Sequence, residues 1–357
     1  MKKIIVAAGG TGGHIIPALS VATALKQRGS EILYIGNVNS LEEKLVSAAA
    51  LDFRAIDVQK LYRRFTFSHL RFPFKLIKSI IASKRIIRDF QPDAVLGTGG
   101  FVSGPVGYAA HRLKIPLYLQ EQNSFPGLTT RLLAKHAKTI FLGSNYATKF
   151  LPAGKTFFSG NPINCTESKQ QIDLSSYGFR ASALKLFLIG GSQGSLALNK
   201  AILPILDQLY QNQIDLIWQI GNYSYQDFYP QVKDRPGVYA FAFTSQINAL
   251  YASADLALAR GGALSLAELE VNKIPTLIVP LPTAAGNHQY HNALEWKIKH
   301  IGNILQQKNL SPKELLSRIL EMKKSIATLR NNFSLSLHEN AAENIAEIIS
   351  KNRDILE

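Results

Sequence analysis

Apolar runs of five or six residues recur through the first half of the chain, at 3–8, 31–36, 53–58, 93–97, 115–120 and 138–142. Each is short enough for a strand and is bounded by turn-forming residues. Longer stretches with helical spacing lie between them, including 16–28, 40–50, 70–89, 104–113 and 126–136. This alternation predicts an α/β fold with a doubly wound parallel sheet covered on both faces. The pattern breaks at Gly160-Asn161-Pro162, a turn signal followed by a polar stretch to about Phe179. It then restarts, with strands expected at 184–189, 215–220, 238–242, 255–259, 275–279 and 303–306 and helices at 196–209, 311–330 and 339–350. Two similar α/β domains follow, 1–160 and 161–338, with a last helix (about 339–357) expected to cross back onto the first.

A length of 357 residues suits two domains, and 46% hydrophobic residues can fill both cores. The single cysteine, Cys165, excludes an internal disulfide and any multi-cysteine metal site, and fits a reducing compartment. Met1-Lys2-Lys3 and five apolar residues resemble the start of a signal peptide, but the run is too short and breaks into glycines. No window of about 18 apolar residues is present, so no membrane span is expected.

Charge changes the picture more than composition does. Of the net +15, residues 1–160 carry +14, with 22 Lys/Arg against 8 Asp/Glu. That half is expected to face something anionic. Residues 60–88 hold nine Lys/Arg and no acid, with Phe65, Phe67, Phe72 and Phe74 interleaved among basics that include Arg71, Lys75, Lys78 and Arg85. Basic residues beside apolar ones suit the interface of an anionic membrane. Nucleic acid is disfavoured, because no recognised binding motif accompanies the patch. Ile77, Ile80, Ile81 and Ile87 are expected to pack inward on the sheet, with Phe72, Phe74 and the basics outward.

The chemistry is organised around Gly9-Gly10-Thr11-Gly12-Gly13-His14, which stands between the first strand and the first helix. Glycines allow a tight turn and close approach to a ligand. The helix start behind them offers free N–H groups and the positive end of a dipole. His14 at the lip of the loop could take a proton near neutral pH. Ile15 stands where a dinucleotide fingerprint needs its third glycine, and no Gly-Lys-Ser/Thr follows, so neither that motif nor a Walker loop is present. A second glycine loop, Gly97-Thr98-Gly99-Gly100-Phe101-Val102-Ser103, follows the fourth strand, and Gln120-Glu121-Gln122-Asn123 follows the fifth. Three successive strand ends thus carry polar loops, where α/β sheets bind ligands.

The second half repeats the device at Gly190-Gly191-Ser192-Gln193-Gly194-Ser195. Its richest segment is Arg260-Gly261-Gly262-Ala263-Leu264-Ser265-Leu266-Ala267-Glu268, a strand end, a glycine turn and a helix start suited to a diphosphate, with Glu268 placed to accept from ribose hydroxyls. Gly286-Asn287-His288-Gln289-Tyr290-His291-Asn292 supplies amides and imidazoles suited to sugar hydroxyls. His288 and His291 lack a carboxylate or cysteine to complete a metal site, and no Asp-x-Asp pair is present.

These motifs, in this order and over nearly the whole chain, resemble the MurG family: Gly9–His14, Thr98–Pro105, Glu121–Asn123, Gly160–Pro162, Gly190–Gly194, Gly262–Glu268 and His288–Ala293. Members of that family move N-acetylglucosamine from UDP-GlcNAc to the lipid-linked muramyl-peptide, lipid I. The resemblance implies the GT-B fold, two Rossmann-like domains facing a deep cleft. It implies that the first domain binds the acceptor diphosphate at Gly10–Gly13, Gly99, Gly100 and Ser103 with Glu121, and touches the membrane through residues 65–88. It places the donor against Thr11–Gly13, Asn123, Asn164, Ser192, Thr244, Arg260, Gly262–Glu268, His288 and Gln289. His14 matches the family's proposed general base, and no cofactor or metal is implied. A peripheral position on the cytoplasmic face of the bacterial inner membrane follows, with other cell-wall enzymes as further candidate partners.

Three positions depart from the family pattern. Asn164 stands where an arginine usually contacts the donor, Thr244 where isoleucine is common, and His288 where glutamine is usual. Three other readings stay open: a GT-B transferase acting on another lipid such as diacylglycerol, a UDP-sugar epimerase of the same fold, and a non-catalytic UDP-sugar-binding scaffold.

Overall fold

A computed structural model describes residues 1–59, 68–164, 171–191 and 193–351, with only the backbone of 68–71. Phe65, Phe67, Ser192 and the side chain of Arg71 lie outside the described residues. The chain forms two compact units, Met1–Asn164 with Leu337–Glu357, and Cys165–Ser336.

The first unit holds seven strands: β1 Lys3–Ala7, β2 Glu31–Asn37, β3 Asp52–Ile56, β4 Ala94–Gly97, β5 Leu117–Glu121, β6 Thr139–Leu142 and β7 Thr156–Phe158. They are parallel throughout, in the order β3-β2-β1-β4-β5-β6-β7. Helices α1 Gly12–Gln27, α2 Leu41–Ala48, α3 Ser68–Phe90, α4 Gly100–Arg112 and α5 Leu128–Leu133 connect them. One face of the sheet buries Ile5, Val95, Leu119 and Ile140 against Val102 and Val106 of α4. The other buries Ile4, Val6, Leu96 and Phe141 against Ala18, Val21 and Leu25 of α1. Burial on both faces is what lets these strands be nearly continuous apolar runs.

The second unit holds β8 Leu184–Ile189, β9 Ile214–Gln219, β10 Val238–Phe241, β11 Leu256–Ala259, β12 Thr276–Ile278 and β13 Gly302–Ile304, parallel in the order β10-β9-β8-β11-β12-β13. Its helices are α6 Leu196–Ile202, α7 Leu206–Gln211, α8 Tyr225–Phe228, α9 Ile247–Ser253, α10 Ala263–Val271, α11 His288–Ile298, α12 Pro312–Lys324 and α13 Ile326–Asn331. The last helix, α14 Ala341–Lys351, belongs to the first unit, where Ile345, Ala346 and Ile349 join the cluster around α1.

Several expected elements differ in detail. The stretch 196–209 breaks where Pro204 cannot continue the hydrogen-bond ladder, and 311–330 breaks at Ser325. Strand β7 lies beyond the expected set. Helices α1 and α4 start four residues early, at Gly12 and Gly100, so the glycines themselves form the first turns. On α3 the inward placement of the isoleucines fails for two of four. Ile87 is buried, but Ile77 and Ile81 are 57% and 60% exposed, beside Phe74 at 77%.

Candidate active site

In both sheets the strand order reverses beside the first strand of the unit, between β1 and β4 and between β8 and β11. Loops leaving these neighbouring strands turn to opposite faces of the sheet and leave a crevice at the carboxyl ends, the usual ligand position in doubly wound folds. Both glycine loops of the first unit open at its switch point. Thr11 is the extended N-cap residue of α1, and the helix begins at Gly12 and Gly13. Gly99, at φ 100°, caps α4, and Gly100 follows at φ 74°. The first four N–H groups of a helix have no partner within it, so two sets of donors and two positive dipole ends are brought to this place.

His14 sits in the first turn of α1, half-buried against the β4 loop. Its Nδ1 lies 3.1 Å from Thr98 O and 3.0 Å from Gln122 Oε1, and its own carbonyl accepts from Thr98 Oγ1 at 2.8 Å. Both neighbours of Nδ1 are acceptors, so Nδ1 carries a proton, and in the neutral ring the lone pair is on Nε2. Among the described residues nothing bonds Nε2. A neutral imidazole with a free Nε2 between two helix starts can take a proton from a bound hydroxyl.

Gly99 is required here in a stronger sense than turn preference. A Cβ on it would stand 2.7 Å from His14 Nδ1, and its φ disfavours any side chain. Gly99→Ala is therefore expected to displace the imidazole and, on the reading of His14 as a general base, to lower kcat about 10²-fold. UDP affinity, measured by calorimetry, should stay unchanged. An equal loss of both would mean general disruption instead.

Two expected acceptor residues act inside the protein. Ser103 is buried, its hydroxyl 2.6 Å from Gly99 O and 2.7 Å from Ala7 O, accepting from Gly99 N at 3.1 Å. Glu121 is buried too. Its Oε1 accepts from Asn123 N and Asn123 Nδ2, both at 3.1 Å, and its Oε2 from Gly127 N at 2.9 Å. Each shapes a loop, and neither presents a free polar end. Gly10, at φ 109°, is exposed. Asn164 is exposed at the end of the first unit.

In the second unit, Arg260 directly follows β11 and is 9% exposed, donating to Ser195 Oγ at 3.0 Å and Val279 O at 3.0 Å. Among the described residues no carboxylate pairs with it. Burial pushes its guanidinium below the ordinary arginine value. A buried cation without a counter-charge is expensive, and its position suits an anion. Gly262 caps α10, whose first turn is Ala263, Leu264 and Ser265. Leu266 and Ala267, expected at the donor, turn into the core instead, and Leu266 N is committed to Gly262 O. They face inward because successive helix positions rotate by 100°.

Glu268 is half-buried on α10 and accepts from Tyr251 Oη at 2.7 Å through Oε2. Burial raises its carboxyl above the usual range, and the Tyr251 bond acts in the opposite sense. Burial, then the neighbouring Glu268, pushes the Tyr251 hydroxyl well above its ordinary value, so it remains a donor. Gln289 Oε1 accepts from Leu281 N at 2.9 Å and Gly261 N at 3.2 Å. His288 is half-buried, with Nδ1 2.7 Å from Ala285 O. Thr244 Oγ1 accepts from Gln246 N at 3.0 Å within its turn. Among the described residues no group of three or more His, Cys, Asp and Glu could hold a metal ion.

Sequence reading missed Tyr251 and gave Gln122 no role of its own, while Asn292, within the amide-rich stretch, donates to Gly261 O at 2.9 Å. For Gln122 a signal existed: it shares strand-face parity with Gln120, while Glu121 and Asn123 have the other.

Two doubly wound parallel-sheet units, each with glycines at its switch point, are the two domains of the GT-B fold. The N-terminal domain model of glycosyltransferase family 28 matches residues 4–142 and the C-terminal domain model matches 185–349. The chain belongs to glycosyltransferase family 28 and, within it, to the MurG family. A UDP-N-acetylglucosamine–N-acetylmuramyl-(pentapeptide) pyrophosphoryl-undecaprenol N-acetylglucosamine transferase of Lactococcus lactis subsp. cremoris is 34% identical over 325 residues, 90% of each chain. One of the same description from Flavobacterium psychrophilum is 32% identical over 98% of this chain and 97% of its own. The crystal structure of Acinetobacter baumannii MurG superposes with a TM-score of 0.80 at 27% identity, covering 98% of this chain and all of that one.

Proposed function

We propose that this protein transfers N-acetylglucosamine from UDP-GlcNAc to the C4 hydroxyl of the undecaprenyl-diphosphate-linked muramyl-peptide, with inversion. The observation that carries this reading is His14, held with Nε2 free between two glycine-started helices. The first unit takes the acceptor diphosphate on the N–H groups of Gly12, Gly13 and the start of α4. The second takes UDP-GlcNAc, with Arg260 and the start of α10 on the diphosphate, Glu268 on the ribose and Gln289 on the sugar. As the acceptor oxygen bonds to the anomeric carbon, the bond from that carbon to the phosphate oxygen breaks and UDP leaves with the electron pair. His14 Nε2 takes the hydroxyl proton. Charge on the leaving diphosphate is met by Arg260 and the α10 dipole. The test is transfer of radiolabelled GlcNAc to a short-chain lipid I analogue, with chelator present. Labelled diacylglycerol in its place favours the other lipid acceptor, UDP-ManNAc formed without acceptor favours an epimerase, and binding without product favours a scaffold.

We further propose that α3 rests on an anionic membrane at the cytoplasmic face. Among the described residues no helix is long and apolar enough to cross a membrane. Phe74, Ile77 and Ile81 project at helical spacing beside exposed Lys78 and Arg85, while Lys75 pairs with Asp57 at 3.4 Å. A fully buried apolar side chain of this size is worth about 1.5–3 kcal/mol. Phe74→Ser, Ile77→Ser and Ile81→Ser combined should weaken binding to phosphatidylglycerol vesicles by more than about tenfold. Thermal stability should hold, because these side chains are already exposed. Unchanged vesicle binding would refute the contact.

A further inference from the structure

Behind His14 runs a buried line of amides that the transfer chemistry does not itself use. Gln122, 3% exposed, directs Nε2 at Thr98 O (2.7 Å) and at Gln120 Oε1. Gln120 Nε2 donates to Asn161 Oδ1 at 3.2 Å, and Asn161 Nδ2 donates to Gln122 O at 3.1 Å. Asn161 N donates to Nδ1 of buried His338 at 2.7 Å, where the chain has re-entered the first unit.

The direction of this line is fixed from outside it. A backbone carbonyl only accepts and a backbone N–H only donates. Thr98 O therefore requires the nitrogen end of the Gln122 amide. The reversed amide would set its oxygen against Thr98 O and Gln120 Oε1 together. Gln120 keeps its own oxygen toward Gln122 by giving its nitrogen to Asn161, whose amide is in turn oriented by the Gln122 carbonyl. What remains for His14 is Gln122 Oε1, an acceptor at 3.0 Å.

We propose that Gln122 is a positioning residue that locks His14 in the Nδ1–H tautomer, and that Gln120 and Asn161 hold its amide in the orientation this needs. The proposal rests on His14 being the base. Without the lock the ring can turn or shift its proton to Nε2, and an imidazole in that form presents no lone pair to the acceptor hydroxyl. In serine proteases the wrong tautomer of an otherwise intact histidine costs about 10⁴ in kcat. Here Thr98 O remains as a second, longer partner, so a smaller loss is expected.

The test is ¹⁵N NMR of the full chain labelled at histidine, above the pH at which imidazole titrates, with the His14 signals assigned by their loss in His14→Ala. Wild type is expected to show protonated Nδ1 and unprotonated Nε2. The opposite pattern overturns the proposal without any Gln122 variant, so a variant that fails to fold leaves it testable. Gln122→Met keeps the length and removes both polar ends. It is expected to show mixed tautomers and a kcat lowered about 10- to 100-fold, with the KM for UDP-GlcNAc within about twofold of wild type. An unchanged tautomer in Gln122→Met overturns the proposal, and so does a mixed tautomer with full kcat. Full turnover in His14→Ala defeats the base reading instead, and the wild-type spectrum still decides the tautomer.

Discussion

His14→Ala is expected to lower kcat for GlcNAc transfer by about 10²–10⁴, the usual contribution of a general base. The loss should fall on kcat, because the groups assigned to the donor diphosphate and ribose, Arg260 and Glu268, lie in the second unit and His14 in the first. The affinity for UDP, measured by calorimetry, should therefore match wild type. Folding should also survive, since His14 is only half-buried and its carbonyl, which Thr98 Oγ1 binds, is retained in alanine. Turnover above about a tenth of wild type would fall outside the base range and remove His14 from that role.

Arg260→Met is the second large effect, and its signature is a split between stability and binding. Among the described residues the guanidinium is buried without a carboxylate, so the folded state bears a desolvation cost. Removing it also loses the hydrogen bond to Val279 O, while Ser195 Oγ still accepts from Leu198 N. These changes oppose one another, so Tm should move little. Affinity for UDP should fall about 10- to 100-fold, because a charge-assisted hydrogen bond is worth about 1.5–3 kcal/mol. If Tm collapses while UDP affinity holds, Arg260 is a structural brace and the diphosphate is bound elsewhere.

The strands and their order in sequence were legible because burial on both sheet faces writes itself as apolar runs. The starts of α1 and α4 were not, because Gly12, Gly13 and Gly100 are poor helix formers recruited by the switch point rather than by propensity. Ile77 and Ile81 were misplaced for a related reason. Hydrophobicity alone points isoleucine inward, and only the helix phase set by buried Ser79, Ser83 and Ile87 shows which face meets the sheet. At the site, the residue types at strand ends were legible and their division of labour was not. Glu121 looked like a ligand-binding acid and is consumed by its own loop, whereas Gln122 looked incidental and touches His14. Strand-face parity separates the two, but a sequence does not show which face holds the imidazole.

The docking of α14 on α1 has a consequence for how the protein is made. Ile345, Ala346 and Ile349 complete a cluster whose other members lie within the first 141 residues. During translation the part of this cluster that α14 covers stays open while the whole of the second unit emerges from the ribosome. The second unit is continuous in sequence and can finish folding first. Biosynthesis thus inverts the usual order: the half that begins the chain is the last to be sealed, and an interrupted message yields a protein with an exposed, aggregation-prone flank.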